Sequence, residues 1–316
     1  MNKNSASIDT CKCLICSNTA SFFADKDAFN LYKCSRCGLV FVHPQPDPKE
    51  LASKVYSSDV GYHAEKVCDI SRLPVSIDFS RVLDYMDSIS QSQSRRNICD
   101  IGASNGEFLY AAEKRGYVPR GVELNEATAA VANSFCLNVA VGTFDQADFV
   151  QNQFDFVHMG DVLEHVPDPG GLLKQVHEKL TNGGEVIIST PNLDCLWAQY
   201  TQLLYKLFKI PISSFTPPHH LFQFSVNNLD LLLTRTGFEV VSYWFSTPPS
   251  LEYELGAIHL VRRIRKSHGI RKAALLILAL FAFTLYTLGY AVVATLRHMG
   301  ILKRDFTVVM AARAIK

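Results

Sequence analysis

The chain has 316 residues, 48% of them hydrophobic and 19% charged, with a formal net charge of +1. Length and composition exclude a single small domain and long-range disorder, and suit one α/β domain with additions. The near-zero charge supplies no global field toward nucleic acid, which is therefore not an expected partner.

Residues 1–10 are polar, lack an apolar signal core and read as a flexible terminus. Nine cysteines, an odd number without a disulfide-like framework, fit a reducing compartment, so the expected location is the cytoplasmic side. Residues 11–43 hold Cys13-x-x-Cys16 and Cys34-x-x-Cys37, two pairs separated by 17 residues among short β-like runs. Four thiolates in two such knuckles fit tetrahedral zinc, and Gly38 suits a knuckle turn. Four protein ligands leave the metal no open position, so its expected role is structural. The proline-rich stretch from His43 to Pro48 marks a boundary. Residues 44–96 are read as linker and helices, with an apolar stripe at Val82, Leu83, Tyr85 and Met86.

From Asn97 the pattern alternates. Strands are predicted at Asn97–Ile101, Val118–Glu123, Asn138–Val141, Phe154–Met159 and Glu185–Thr190, with helices at Glu107–Arg115, Glu126–Phe135 and Leu172–Leu180. Such alternation implies parallel strands with helical crossovers. Helix Asn227–Thr236 and strands Phe238–Phe245 and Phe306–Ala312 follow. The apolar spacing through Leu193–Ile210, with Trp197, Tyr200, Leu204 and Leu207, reads as a core or lid helix.

The loop Asp100-Ile101-Gly102-Ala103-Ser104-Asn105-Gly106 follows a strand and opens a helix. Its glycines permit close backbone approach to a ligand, and the helix start presents free N–H groups. Glu123 ends the next strand 21 residues after Gly102, where a carboxylate can accept both ribose hydroxyls of a nucleoside. A dinucleotide fingerprint wants glycine where Ser104 and Glu107 stand, and Glu107 would repel a pyrophosphate. S-adenosylmethionine carries no phosphate and is cationic, so Asp100 and Glu107 suit it better.

The segment from Asn97 to Phe245 resembles class I methyltransferases, especially the ubiquinone-biosynthesis O-methyltransferase-like branch. The resemblance rests on Asp100–Gly106, Gly121-Val122-Glu123, Phe154-Asp155-Phe156-Val157 leading to Asp161-Val162-Leu163-Glu164-His165-Val166, and Leu180–Glu185 leading to Thr190-Pro191-Asn192. It implies an α/β, doubly wound, mostly parallel seven-stranded sheet with helices on both faces. It also implies S-adenosylmethionine held by Asp100, Gly102, Ser104, Gly106, Glu123 and Asp161. The domain would cover residues 97–250, with 305–316 as its last strand. Ser104 stands where the family usually has glycine, and Gly142-Thr143-Phe144 lacks the acid that many relatives place near adenine.

A hydroxyl acceptor must lose a proton during methyl transfer, so a base is expected at the carboxyl edge of the sheet. His165 and His220 are the candidates. The resemblance further allows a divalent metal near Asp161, Glu164 and His165. The competing reading of these side chains is that they shape the loop. The sequence after the fourth strand, Gly160-Asp161-Val162-Leu163, lacks the Asn/Asp-Pro-Pro-aromatic loop of many base methyltransferases. The expected acceptor is a small or lipid-linked molecule, such as a glycolipid, polysaccharide precursor or quinone-like compound. A zinc-ribbon RNA methyltransferase and a non-catalytic binding module are the alternatives.

Residues 251–304 read as a basic and apolar insertion that associates with a membrane surface. Ala273–Leu296 is a run of 24 residues without charge, flanked by Arg262, Arg263, Arg265, Lys266, Arg271 and Lys272 before it and by Arg297, Lys303 and Arg304 after it. Its length matches a bilayer core of about 30 Å. In the resembled fold, however, the strands on either side are neighbours in one sheet, so an in-plane helix or a hairpin bending near Gly289 is expected.

Overall fold

The computed structural model describes residues 10–26, 29–47, 51, 69–90, 96–208, 210, 217–246 and 268–316. The expectations for residues 1–9, most of the linker before residue 69, and Arg262, Arg263, Arg265 and Lys266 lie outside the described residues.

The main sheet contains β5 (Asn97–Ile101), β6 (Val118–Glu123), β7 (Asn138–Val141), β8 (Phe154–Gly160), β9 (Leu180–Pro191), β11 (Phe238–Ser246) and β12 (Thr307–Ala314). Their order is β11-β12-β9-β8-β5-β6-β7. Strands β5 to β9 pair in parallel, whereas β12 lies antiparallel between β9 and β11. Strand β8 is the near-continuous apolar run that a two-faced central strand requires, and six of its seven residues are buried. The doubly wound, mostly parallel seven-stranded sheet is therefore present.

Helices α1 (Ile77–Ser90), α2 (Glu107–Lys114), α3 (Glu126–Ser134), α4 (Pro169–Lys179) and α6 (Val226–Arg235) cover this sheet, and α5 (Leu196–Phe208) and α7 (Gly269–His298) form a pair beyond β9. The stripe on α1 buries Val82, Leu83 and Met86. The Tyr85 hydroxyl donates to Glu185, which also accepts from Arg313, so α1 is tied to β9 and β12. Helix α4 starts three residues before the predicted Leu172. The Asp168 carboxylate caps the Gly171 N–H at 2.8 Å, and Pro169 sits in the first turn, where its missing N–H costs nothing. Strand β9 likewise begins at Leu180 rather than Glu185 and runs through Gly183 and Gly184.

A second sheet, β1-β2-β3-β4-β10, forms the cysteine module. Strands β1 (Thr10–Lys12), β2 (Thr19–Lys26), β3 (Phe29–Cys34) and β4 (Val40–Val42) are local, but β10 (Phe222–Gln223) comes from the far side of the main sheet in sequence. Phe222 pairs with Phe41 and Gln223 with Val40, antiparallel. Arg235 on α6 adds a 2.7 Å hydrogen bond to the Ile15 carbonyl. Tyr32, Phe41 and Phe222 are buried in the same core as Val157 and Leu229, so the module and the main domain share one apolar interior.

Helix α7 is continuous over 30 residues, and Gly289 does not break it. The expected hairpin is thus replaced by one straight-through helix lying on α5.

Candidate active site

The cysteine cluster is the simplest element. The sulfurs of Cys13, Cys16, Cys34 and Cys37 lie within 4.8 Å of one another. Cys13 and Cys37 approach to 3.6 Å, and Cys16 and Cys34 to 3.4 Å. Zn–S bonds of about 2.3 Å in a tetrahedron place sulfurs roughly 3.8 Å apart, so the set needs little change to hold zinc. Backbone N–H groups of Cys16 and Cys37 point at the sulfurs of Cys13 and Cys34, the arrangement that stabilises thiolates. The Cys37 thiol, with the backbone N–H groups at Cys16 and Ile15, lowers the Cys13 pKa. The cluster fits a zinc-ribbon module.

The glycine loop lies at the carboxyl end of β5. Gly102 has φ +76°, and a Cβ there would stand 2.6 Å from Val162 Cγ2. The backbone of this loop and the turn after β8 are thus in direct contact, which only glycine allows. Ser104, the departure from the family pattern, also adopts a left-handed conformation with φ 47°. That explains why glycine is usual at this position. Its N–H donates to Glu123 Oε2 at 2.9 Å, while the Asn125 N–H donates to Oε1 at 2.8 Å. An ionised carboxylate has about four acceptor sites, so two remain for a pair of vicinal hydroxyls. Asn125 in turn caps α3 through Ala127 and Thr128. Among the described residues, the buried acceptor Asn105 Oδ1 of this loop has no protein donor. An acceptor-rich site of this kind fits a cationic, phosphate-free nucleoside such as S-adenosylmethionine. Gly106 is the N-cap of α2.

Asp100, at the end of β5, is buried against a histidine. It is 4% exposed, and its Oδ1 lies 2.7 Å from Nδ1 of His158, itself 3% exposed. His158 stacks on Phe108 with ring centroids 4.0 Å apart. Sequence reading missed His158, although its alternate position in the buried strand Phe154–Gly160 was a signal. Asp161 opens the turn after β8. Its φ is 51°, it is exposed, and its N–H donates to the Ser189 carbonyl.

The turn after β8 carries Glu164 and His165. Glu164 is 1% exposed; Oε2 accepts from Thr190 at 3.0 Å, while Oε1 has no hydrogen-bond partner and stands 4.0 Å from His165 Nε2. Burial, reinforced by the Asp161 carboxylate, raises the Glu164 pKa well above the ordinary range. His165 Nδ1 lies 2.6 Å from the His219 carbonyl oxygen, which can only accept, so Nδ1 carries a proton, and in the neutral ring Nε2 is then the lone-pair nitrogen. The His165 and His220 rings stand 4.8 Å apart and near perpendicular.

Among the described residues, the atoms that gather within 4.8 Å are those of Glu164, His165 and His220; Asp161 is not in this set. The reason is topological. The Leu221 N–H donates to the Glu164 carbonyl at 2.8 Å, and the Val42 N–H donates to the Leu221 carbonyl at 2.9 Å. The cysteine module thus holds the His219–Phe224 segment against the turn after β8. Thr190, part of the Thr190-Pro191-Asn192 stretch, and the His219 carbonyl complete the cluster.

Comparison with known proteins agrees with this geometry. A family model described as a methyltransferase domain matches residues 76–243. The ubiquinone biosynthesis O-methyltransferase of Pseudomonas aeruginosa (strain LESB58) is 35% identical over 104 residues, covering 31% of this chain and 45% of the relative. That of Pseudomonas syringae pv. tomato is 33% identical over the same shares. The chain thus spans just under half the length of these curated relatives. Among solved structures, a SAM-dependent methyltransferase from Archaeoglobus fulgidus is 19% identical with a TM-score of 0.48, covering 77% of this chain and 95% of that one. The geranyl diphosphate C-methyltransferase from Streptomyces coelicolor A3(2) is 15% identical with a TM-score of 0.45, covering 75% and 77%. With the family model spanning more than half of its residues and the doubly wound sheet beneath it, the chain belongs to the class I S-adenosylmethionine-dependent methyltransferase family.

Proposed function

We propose that the chain transfers a methyl group from S-adenosylmethionine to a hydroxyl or carbon of a small or lipid-linked acceptor. The observation that carries this reading is the meeting of two sites on one sheet edge. Val162, which presses on Gly102 of the cofactor loop, is followed two residues later by Glu164 and then by His165. When bound, the cofactor supplies an activated methyl group on a sulfonium. Glu123 and the Ser104 loop hold its nucleoside end. His165 and His220 stand where an acceptor hydroxyl gives up its proton, and the lone pair of His165 Nε2 is the natural receiver. Glu164 and Thr190 fix the turn that presents it. The named chemistry of the Pseudomonas relatives supports a quinone-like hydroxyl as one acceptor class. The cysteine usage supports a reducing, cytoplasmic-side setting, and the four thiolates of the module support one structural zinc.

A second reading of the same cluster has its own support. The protonated Nδ1 of His165 on a backbone carbonyl is the usual outer bond of a metal-ligating histidine, and ligand atoms of Glu164, His165 and His220 lie within 4.8 Å of one another, within reach of one divalent cation. The experiment is a mass-shift screen of hydroxyl and carbon acceptors with isotope-labelled donor, run with and without chelator. Turnover that survives a chelator that leaves the cysteine-bound zinc in place assigns the histidines as proton acceptors. Turnover that is lost and restored by Mg²⁺ or Mn²⁺ assigns them as ligands. No turnover on any acceptor class, with intact cofactor binding, overturns the enzymatic reading in favour of a binding module.

A further inference from the structure

Helix α7 is about 45 Å long at 1.5 Å per residue. Its stretch Leu275–His298 is apolar enough to cross a membrane, yet only 22% of an 18-residue apolar window within it is buried in the protein. The buried part is one seam. Ala279, Ala282 and Tyr286 face α5, at the spacing that keeps residues on one side of a helix. Trp197 of α5 meets Tyr286 and Tyr290 edge-on, at 5.4 Å and 5.6 Å between centroids. The Tyr200 hydroxyl donates to the Leu285 carbonyl at 2.8 Å, and its ring lies over Gly289, where a Cβ would stand 2.2 Å from Cε1. The helix is fastened to α5 through its middle, from Ala279 to Tyr290.

The other side of α7 faces outward and is apolar. Leu276, Ile277, Leu280, Leu288 and Val292 are 50%, 71%, 70%, 59% and 57% exposed. Helix α5 extends the same surface with Leu203 and Leu207, and Phe208 packs edge-on against Phe281 at 5.4 Å, both rings about half exposed. The hydroxyls of Thr284 and Thr295 on the outer side donate back to the Leu280 and Ala291 carbonyls, which covers their polarity as an apolar solvent requires. The sequence of this insertion is basic. Between Leu255 and Arg304 the sequence carries nine Lys or Arg residues and no acid. Arg297 and Arg304 pair with Asp305 and Asp194, and Lys303 adds a further cation at that end.

We propose that α5 and α7 together form an in-plane docking platform for an anionic lipid bilayer. The outer face enters the boundary between headgroups and acyl chains, and the basic ends sit among the headgroups. The chain does not cross. Strands β11 and β12, which flank α7 in sequence, are hydrogen-bonded neighbours from Phe238↔Ala314 to Ser246↔Thr307, and a single crossing would separate them. The platform also adjoins the acceptor cluster. Helix α5 begins shortly after β9 ends at the carboxyl edge, and the Leu193 N–H donates to the carbonyl of Phe224, in the His220 segment, at 2.7 Å. The placement beside an acceptor site rests on the methyl-transfer reading; the docking does not.

The test is flotation of the full chain with vesicles of phosphatidylcholine containing one-third phosphatidylglycerol, at low and high salt. The chain should float with these vesicles and stay bound in high salt, because apolar insertion is not screened. The triple variant Leu207→Asp, Ile277→Asp, Leu280→Asp changes only exposed side chains. It should lower partitioning by roughly 100-fold or more, because three apolar contacts with lipid are lost and three anions face anionic headgroups. Four outcomes overturn the proposal: no flotation, complete release by salt, equal flotation of the triple variant, or terminal tags protected on opposite sides of the vesicle. Light scattering that finds a dimer abolished by the triple variant, with no vesicle binding, assigns the face to a second copy instead. Calorimetry with S-adenosylhomocysteine and turnover on a water-soluble acceptor are read without vesicles. A failed cofactor reading is thereby kept distinct from a failed docking reading.

Discussion

The two halves of the candidate site are built in opposite ways. The cofactor half is local: Gly102, Ser104, Glu123 and Asn125 lie within 24 residues and are joined by backbone-to-carboxylate hydrogen bonds across two adjacent parallel strands. The acceptor half is assembled from afar. Glu164 and His165 come from the turn after β8, Thr190 from the end of β9, and His220 from a segment held by the cysteine module through Val42 and Leu221. A local site survives wherever its βαβ unit survives. A distant one depends on every element that holds its pieces in register, so the two halves should fail separately.

The largest separation should come from the module. Zinc contributes roughly 10–16 kcal/mol of apparent folding free energy in small cysteine modules. Removing it by chelation, or by Cys16→Ser with Cys34→Ser, should release β4 from β10 and displace His220. Turnover should fall by at least about 100-fold, as expected when a reacting group is misplaced. Affinity for S-adenosylhomocysteine should stay within roughly threefold, since no cofactor-half hydrogen bond reaches the module. Elemental analysis before and after establishes the metal content. An equal loss of cofactor affinity would join the halves again.

Next in size are the histidines themselves. His165→Asn and His220→Asn should each lower turnover by about 10²–10⁴-fold, the usual range for a positioned acid–base group, with cofactor affinity unchanged. Parent rates in both variants would remove them from the chemistry. Glu123→Ala should act on the other half. Two charge-assisted hydrogen bonds to ribose hydroxyls are worth roughly 1.5–3 kcal/mol each, so affinity should fall by about 100-fold or more.

The smallest effect concerns the platform. In Gly289→Ala the new methyl group meets the Tyr200 ring, at a cost of about 1–3 kcal/mol for overpacking. Better helix propensity offsets about 1 kcal/mol of that. The net sign is destabilising, with a fall in Tm of roughly 2–6 °C. A rise in Tm would contradict the close approach of α5 and α7.

Much of the fold is legible because its signals are local. Strands β6 and β7 and the four cysteines stand where periodicity and spacing predict them. Start points fail where a cap decides: Asp168 and Pro169 begin α4 ahead of its apolar stripe. The site follows the same rule. The contact of the glycine loop with Glu123 is readable from one βαβ unit, apart from Asp100, whose partner His158 lies 58 residues away. The resemblance implies Asp161 as a neighbour of Glu164, whereas His220, 56 residues on, comes from a segment whose approach to Glu164 is long-range. The pairing of Phe222 with Phe41 that brings His220 in has no local signature.

The measurement that tests the separation of the halves most directly is a calorimetric titration of S-adenosylhomocysteine into Glu123→Ala and His220→Asn beside the parent protein. Affinity is predicted to fall about 100-fold or more in Glu123→Ala and to stay within roughly twofold in His220→Asn. Equal losses in the two variants, or a larger loss in His220→Asn, would contradict the account.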